Sequence, residues 1–368
     1  MYDIAIIGLG PAGATLARCL DPGLKIAAID RKRLDGSDLG YRKPCGGLLA
    51  PSAQKALVQA GLNLPSSVLV DPQIFAVKTM DLPSGRIRHY QRCFLNMDRH
   101  KFDLWLCSLI PSSVKVFDGS NCRSIERNSD GAYDLTLTQG GHQWTISAKV
   151  VVGADGSASL ARRLVAPKVD VRRYICIQEN FPGLGKETYG CFFDERITDC
   201  YGWINNKNGI LTLGAALPLR KSHTTPGQKF ETLKHSLSDF GYRFYGAPLL
   251  KEACLVSRPS SLGQINAGHN NIFLIGEAAG LVSPSSLEGI SYALKSGRAL
   301  SRAINGGLAA GDLGSCRRQY NQALRPMKAK IALRLLKSPF MYQPLLRRLV
   351  MTSGIKSVDI NHQPGDYC

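Results

Sequence analysis

The segment Gly8-Leu9-Gly10-Pro11-Ala12-Gly13 falls between a short apolar run, Ile4 to Ile7, and a helical pattern from Pro11 to Leu20. Residues without side chains let a backbone turn tightly and approach a pyrophosphate, and the helix that follows offers free N–H groups and the positive end of its dipole. Asp30 closes the next apolar run, Leu24 to Ile29, where a carboxylate can accept hydrogen bonds from ribose hydroxyls. Strand, glycine turn, helix, strand and terminal acid together predict a dinucleotide site. Two further junctions follow the same plan. Gly153-Ala154-Asp155-Gly156 follows the apolar run Lys149 to Val152, and Gly276-Glu277-Ala278-Ala279-Gly280 follows Asn271 to Ile275 and continues through Ser283-Pro284 to Glu288-Gly289-Ile290. An acid at a strand end can hold sugar or ribityl hydroxyls, and a helix N-terminus can face a pyrophosphate or the ring of a redox cofactor.

The elements that must position these residues can be read from their periodicity. Residues Ile4 to Asp30 open the chain as a βαβ unit. Asp98 to Leu109 has helix spacing through Phe102, Leu106 and Leu109; Val114 to Phe117 reads as a strand and Glu288 to Ile304 as a helix. Between Arg172 and Val256, strand-like runs rich in Phe, Tyr, Cys and Ile alternate with turn clusters such as Asn205-Asn206-Lys207-Asn208-Gly209, which predicts a mixed, largely antiparallel sheet inserted into the nucleotide-binding part. From Pro326 onward the chain is helical and basic, with leucines interrupted by Pro339 and Pro344.

The 368 residues suffice for roughly two domains. An apolar share of 44% and a charged share of 20% exclude a disordered or fibrous chain. No run of about 18 uncharged apolar residues predicts a membrane span, and the N-terminus has no basic n-region or cleavage site of a signal peptide. The 11 cysteines are odd in number and scattered, with no metal-ligand spacing, so a reducing cytoplasm is the expected location, no metal site is expected, and most thiols are expected to be small buried hydrophobes. The net charge is +18, and between Leu313 and Val358 there are ten Lys or Arg and no carboxylate. That stretch suits an anionic membrane surface at the inner face of the cell membrane; no recognition motif supports nucleic acid.

The order GxGxxG, DG, G(D/E) resembles the FAD-binding fold of para-hydroxybenzoate hydroxylase type. Within it, Lys43-Pro44-Cys45-Gly46-Gly47 and the stretch Gly276 to Pro284 resemble the geranylgeranyl reductase family, over residues 1 to about 330. A narrower likeness, to one branch of that family in enteric bacteria, covers Lys43 to Pro51, Asn96 to Ser113, Ile197 to Trp203 and Phe273 to Leu294. The resemblance implies an α/β chain: a Rossmann-like FAD-binding domain (1–70, 94–170, 257–325), an inserted antiparallel substrate domain (71–93, 171–256) and a basic helical C-terminal tail (326–368). It implies that Gly8, Gly10, Pro11, Ala12 and Gly13 pack on the FAD pyrophosphate, that Asp30 and Arg31 meet the adenosine end, and that Arg99 reaches the phosphate or ribityl side. It further implies that Asp155 and Gly156 form the family's DG motif, that Glu277 replaces the commoner Asp at the ribityl-contacting position, that Gly276, Gly280 and Pro284 also lie at the cofactor, and that Gly289 and Ile290 present N–H groups to the isoalloxazine ring.

By the same resemblance Lys43, Cys45, Gly46 and Gly47 lie against the flavin, and the Cys45 thiol is a candidate proton donor or a small residue that admits the loop. Lys43 either holds the flavin or an anionic headgroup, or is solvated. Tyr201-Gly202-Trp203 resembles the family's YxW pocket motif, with Tyr201 and Trp203 expected at the reaction site; the Phe-Pro pair that usually follows is replaced by Ile204-Asn205-Asn206. The expected activity is an FAD-dependent oxidoreductase that reduces carbon–carbon double bonds of an isoprenoid or related lipid. The alternatives are an FAD-dependent monooxygenase and a flavin-loaded factor that binds lipid without turnover. The WxWxIP signature of flavin halogenases is absent. FAD uses the single dinucleotide fingerprint, so the electron donor is either NAD(P)H bound transiently or a ferredoxin-type protein docked on the basic surface.

Overall fold

The computed structural model describes residues 1–35, 41–183, 189–219, 223–308 and 312–359. Its fold is the expected α/β arrangement, built on two eight-stranded sheets. The last residues of the expected tail, 360–368, lie outside the described residues.

In the first sheet, strand Tyr2–Ile7 pairs in parallel with Ile26–Ile29 on one side and with His142–Gly153 on the other. Lys115–Phe117 extends the parallel sheet at one edge and Ile272–Leu274 beyond His142–Gly153 at the other. Ile4, Ala5 and Ile6 are fully buried, as a parallel strand covered on both faces requires. Helices Pro11–Cys19 and Ile290–Leu308 approach most closely at Gly297. A Cβ on Gly297 would lie 2.5 Å from the Ala12 carbonyl oxygen. A Cβ on Gly276 would lie 2.9 Å from the Ala12 Cβ.

The second sheet runs in the order Leu250–Arg258, Arg172–Pro182, Ile210–Pro218, Gly202–Lys207, Gly190–Phe193, Ile74–Asp81, Arg86–Asn96, Leu48–Leu49. All pairs are antiparallel except Gly190–Phe193 with Ile74–Asp81. Helix Pro226–Ser238 starts with a Thr225/Gln228 capping box and covers one face through Phe230, Leu233 and Leu237. Strand Leu48–Leu49 is short but decisive for the site, because it fastens the end of the Lys43–Gly47 segment to the edge of this sheet, opposite Asn96 and Leu95.

The C-terminal part departs from its reading in one respect. Leu313–Tyr342 is a single helix that runs through Pro326 and Pro339; only Pro344 marks a break, as the first residue of helix Pro344–Ser353. A proline inside a helix removes one hydrogen bond and crowds the preceding turn. Here the cost is offset by burial of Cys316, Tyr320, Leu324, Met327 and Ile331 along one side, and by the Tyr320 hydroxyl donating to the Leu274 carbonyl at 2.9 Å. The second helix is clamped to the second sheet. Arg347 donates through Nε and Nη2 to Asp81 Oδ1 at 3.0 and 2.6 Å, and Arg348 Nε donates to Asp81 Oδ2 at 2.9 Å. Burial works to raise the Asp81 carboxyl, but Ser84, Arg348 and Arg347 outweigh it and hold it below its ordinary range. Both Asp81 and Arg347 are buried, so Arg347→Ala leaves a carboxylate without its main partner. We expect a loss of about 3–5 kcal/mol in urea titration, with protease cleavage appearing first between residues 344 and 359.

Candidate active site

The glycine turn sits at the end of strand Tyr2–Ile7. Gly8 has φ +98°, and a Cβ there would lie 2.6 Å from the Ala154 carbonyl oxygen. A Cβ on Gly13 would lie 1.9 Å from the Gly8 carbonyl oxygen. Gly10 is different: nothing stands within 4 Å of the place its Cβ would occupy. It is the N-cap of helix Pro11–Cys19, offers no capping side chain, and is followed by a first turn without acids. The first N–H groups of that helix are therefore available to an anion.

Asp30 closes this end. Its carboxylate accepts from the Leu9 N–H and, at 2.7 Å, from the Lys32 N–H, so it also braces the glycine turn. Lys32 Nζ reaches the Leu9 carbonyl at 3.1 Å and Asp103 Oδ2 at 3.3 Å, and Arg99 Nε donates to Asp103 Oδ1 at 2.8 Å. Burial alone would raise the Asp103 carboxyl; the Arg99 guanidinium and the Lys32 ammonium reverse that and hold it below its ordinary range. Arg31 stacks over the Tyr41 ring, 3.4 Å from its centroid.

At the middle of the cleft, Asp155 Oδ2 accepts from the Leu160 N–H at 2.7 Å, whereas Oδ1 is buried with no protein partner. Burial pushes this carboxyl up, against the hydrogen bonds from Ser159 and the backbone. Gly156 lies beside Glu277, within 3.7 Å of Oε2 for an added Cβ. Glu277, expected at the ribityl chain, has both oxygens engaged by protein: Lys43 Nζ at 2.6 Å and the Ser257 N–H at 2.8 Å. Lys43 is accordingly an ion-pair partner rather than a solvated lysine. Gly289 and Ile290 line the cavity at the start of helix Ile290–Leu308. Gly13, Gly276, Gly280 and Pro284 do not line it; they set the backbone that does, Pro284 through a carbonyl that accepts from Arg258 Nε at 2.9 Å.

The Lys43–Gly47 segment crosses from the first sheet to the second, and Cys45 sits at the crossing. Its Sγ accepts from the Gly47 N–H at 3.4 Å, and the Arg99 guanidinium stands beside it. Lys207 stands nearby, donating to the Met97 carbonyl at 2.9 Å; burial pushes its ammonium down while Cys45 and Asp98 pull the other way. Beside this loop is the Trp203 indole, which a Cβ on Gly46 would meet at 3.4 Å; its Nε1 is buried with no partner. Tyr201 lies 5.9 Å from Trp203 by ring centroids and donates its hydroxyl to the Ser286 carbonyl at 2.8 Å. One cavity of about 1420 Å³ joins the Gly8–Ala12 turn to a chamber walled by Tyr189, Cys191, Phe193, Tyr201 and Trp203. That exceeds the roughly 300–1,000 Å³ of an ordinary ligand site, so a large cofactor leaves room for a second molecule.

Several contributors escaped the sequence reading. Asp103 and Lys32, which tie Arg99 to the glycine turn, carried one legible signal: the four-residue spacing of Arg99 and Asp103 on a helix. Tyr342 and Arg347 carried none. Helix Leu313–Tyr342 and helix Pro344–Ser353 wall the chamber, with Tyr342 donating to the Ser285 carbonyl at 2.9 Å. Among the described residues every cysteine is free and no cluster of potential ligands could hold a metal ion.

Two outcomes follow. Gly13→Ala forces the turn apart, so the purified protein should lose bound flavin absorbance and about 1–3 kcal/mol of stability or more. Asp103→Asn strips Lys32 and Arg99 of their carboxylate and should cost about 3–5 kcal/mol at neutral pH. Because the Asp103 carboxyl is depressed in the folded chain, its contribution is complete above an ordinary Asp value of about 3.9 and vanishes as pH falls through the folded value. The gap between parent and variant in denaturant titrations should therefore close on acidification.

No protein-family model matches the chain. Among solved structures, a geranylgeranyl bacteriochlorophyll reductase-like protein from Thermoplasma acidophilum superposes with a TM-score of 0.73 and 18% identity, covering 95% of this chain and 98% of that one. PqsL, a probable FAD-dependent monooxygenase from Pseudomonas aeruginosa, superposes with a TM-score of 0.66 and 17% identity, covering 96% and 99%. The fold is that of FAD-dependent oxidoreductases, and the cleft fits FAD: an uncapped helix N-terminus faces open space at Gly10, and Asp155 holds out a buried oxygen with no protein partner. FAD is the cofactor to which this fold and this cleft correspond. Protein CbrA from Escherichia coli O6:H1 is 42% identical over 358 residues, 97% of this chain and 94% of that protein. Identity of that extent along nearly the whole length places the chain in the CbrA family.

Proposed function

We propose that the protein is an FAD-dependent oxidoreductase that saturates a carbon–carbon double bond of an isoprenoid or related lipid. The observation that carries this reading is the single cavity that runs from the glycine turn, past Cys45, into an aromatic and apolar chamber of the second sheet. An isolated double bond offers no polar handle, so its affinity comes from apolar burial, at about 0.8 kcal/mol per CH₂. Val77, Phe94, Ile175, Tyr189 and Phe193 provide that surface.

The chain's own residues divide the work. The N–H groups after Gly10 take the pyrophosphate, and Arg99, held by Asp103, adds a fixed positive charge on the same side. Asp155 Oδ1 accepts a hydroxyl of the ribityl chain. Gly289 and Ile290 offer N–H groups where negative charge develops on the ring. FAD, once reduced by NAD(P)H or a ferredoxin-type donor, supplies the hydride when bound. Saturation also needs one proton at the neighbouring carbon, and Cys45 Sγ is the atom that holds it, with the Arg99 and Lys207 cations close by. Trp203 and Tyr201 orient the chain beside Cys45 and keep water out.

The test uses purified protein reduced without oxygen until its flavin absorbance is bleached. Polyprenyl lipids from host membranes should restore the absorbance, with a gain of two hydrogens in one lipid. Cys45→Ala should slow that return by about 10²–10⁴-fold, with flavin content as the control. No return without oxygen, followed by lipid-accelerated reoxidation in air, would transfer the protein to the monooxygenases. Tight lipid binding with neither outcome would make it a binding factor without turnover.

A further inference from the structure

We propose that the C-terminal helices form a docking face that seats the protein on an anionic lipid bilayer, with the mouth of the large cavity against the membrane. Large apolar side chains are exposed there at helix spacing. Leu333, Leu336 and Phe340 follow one line of helix Leu313–Tyr342, Leu345 and Leu349 one line of helix Pro344–Ser353, and Ile355 lies just beyond. Leu336 is 72% exposed and Leu345 73%, values more typical of lysine than of leucine.

The cations at the mouth supply the complementary half. Lys330, Arg334, Lys337, Lys356 and Arg92 all line the cavity. Among the described residues none of them forms an ion pair with a carboxylate. Burial, with Arg334, Arg92 and Lys356 alongside, pushes the Lys337 ammonium down. Between Asp312 and Asp359 the chain carries no acid, and Glu288, from the segment before helix Ile290–Leu308, attracts Lys330. A surface of mutually repelling cations beside exposed leucines matches one environment, an interface with phosphate headgroups outside and acyl chains beneath. A nucleic acid or an acidic protein would answer the charge and leave the leucines in water.

The face is also preformed. Tyr342 is fixed by the Ser285 carbonyl and by Arg258, whose guanidinium lies 3.9 Å from the Tyr342 ring centroid. Arg347 is locked to Asp81, and Val358 donates to the His89 carbonyl at 2.8 Å, pinning the chain beyond the last helix. Little ordering is left to be done on binding.

The experiment is flotation of the flavin-loaded full chain with vesicles of diphytanoyl phosphatidylcholine, with or without diphytanoyl phosphatidylglycerol. These lipids are fluid and saturated, so the outcome is independent of any double-bond reduction. Partition should be about tenfold or more tighter on the anionic vesicles and should weaken with added salt. The double variant Leu336→Ser/Leu345→Ser, outside the cavity, should lose about tenfold or more, with flavin content and Tm unchanged. The inference is overturned if both vesicles bind alike, if the double variant floats like its parent, or if the basic face retains nucleic acid or an acidic protein while vesicles are ignored.

Discussion

The structure depends on a place where stretches of chain meet with no room for a side chain at four glycines. Gly13 lies against Gly8, Gly8 against Ala154, and both Gly276 and Gly297 against Ala12. Each contact is shorter than a Cβ would allow, so the backbones of these stretches converge on the first turn of helix Pro11–Cys19. This convergence brings Asp155 and Glu277, more than a hundred residues apart, to the same cleft as Asp30.

Charge is distributed in two ways around that cleft. Inside, three cations have carboxylate partners: Lys32 and Arg99 share Asp103, and Lys43 pairs with Glu277. The Lys43–Glu277 pair is joined by the Ser257 N–H, so it bridges the segment carrying Cys45, the turn after Leu274 and the edge strand of the second sheet. Outside, at the mouth, Arg92, Lys330, Arg334, Lys337 and Lys356 form no ion pair among the described residues, and the rim is open to an anion.

The cofactor half was legible in the sequence because its determinants are local. A glycine turn, an acid at the end of a strand, and the helix spacing of Phe102, Leu106 and Leu109 are each decided within a few residues. The antiparallel sheet was legible from alternation and turn residues. What was not legible is carried by contacts distant in sequence. Glu277 was read as a ribityl ligand by position, but its extra methylene lets it reach Lys43, 234 residues earlier. Pro339 was read as an interruption by local rule, and the tertiary burial along helix Leu313–Tyr342, at Tyr320, Leu324 and Ile331, overrode it. The second role of the basic helices, as a wall of the chamber, rests on Tyr342 meeting Ser285 and Arg347 meeting Asp81.

The last of these contacts has a consequence for the order in which the molecule can be made. Asp81 and Arg347 are 266 residues apart. The glycine turn and its neighbouring strands can assemble while synthesis continues, but the chamber lacks a wall until nearly the whole chain has left the ribosome. A long-range closure of this kind comes late. Until then the aromatic surface of the second sheet and the buried carboxylate of Asp81 are open to solvent, so the nascent chain passes through a stage in which its greasiest surface is exposed and its cofactor cleft already formed. Early loading of that cleft would stabilise the half-built chain through exactly this interval by mass action.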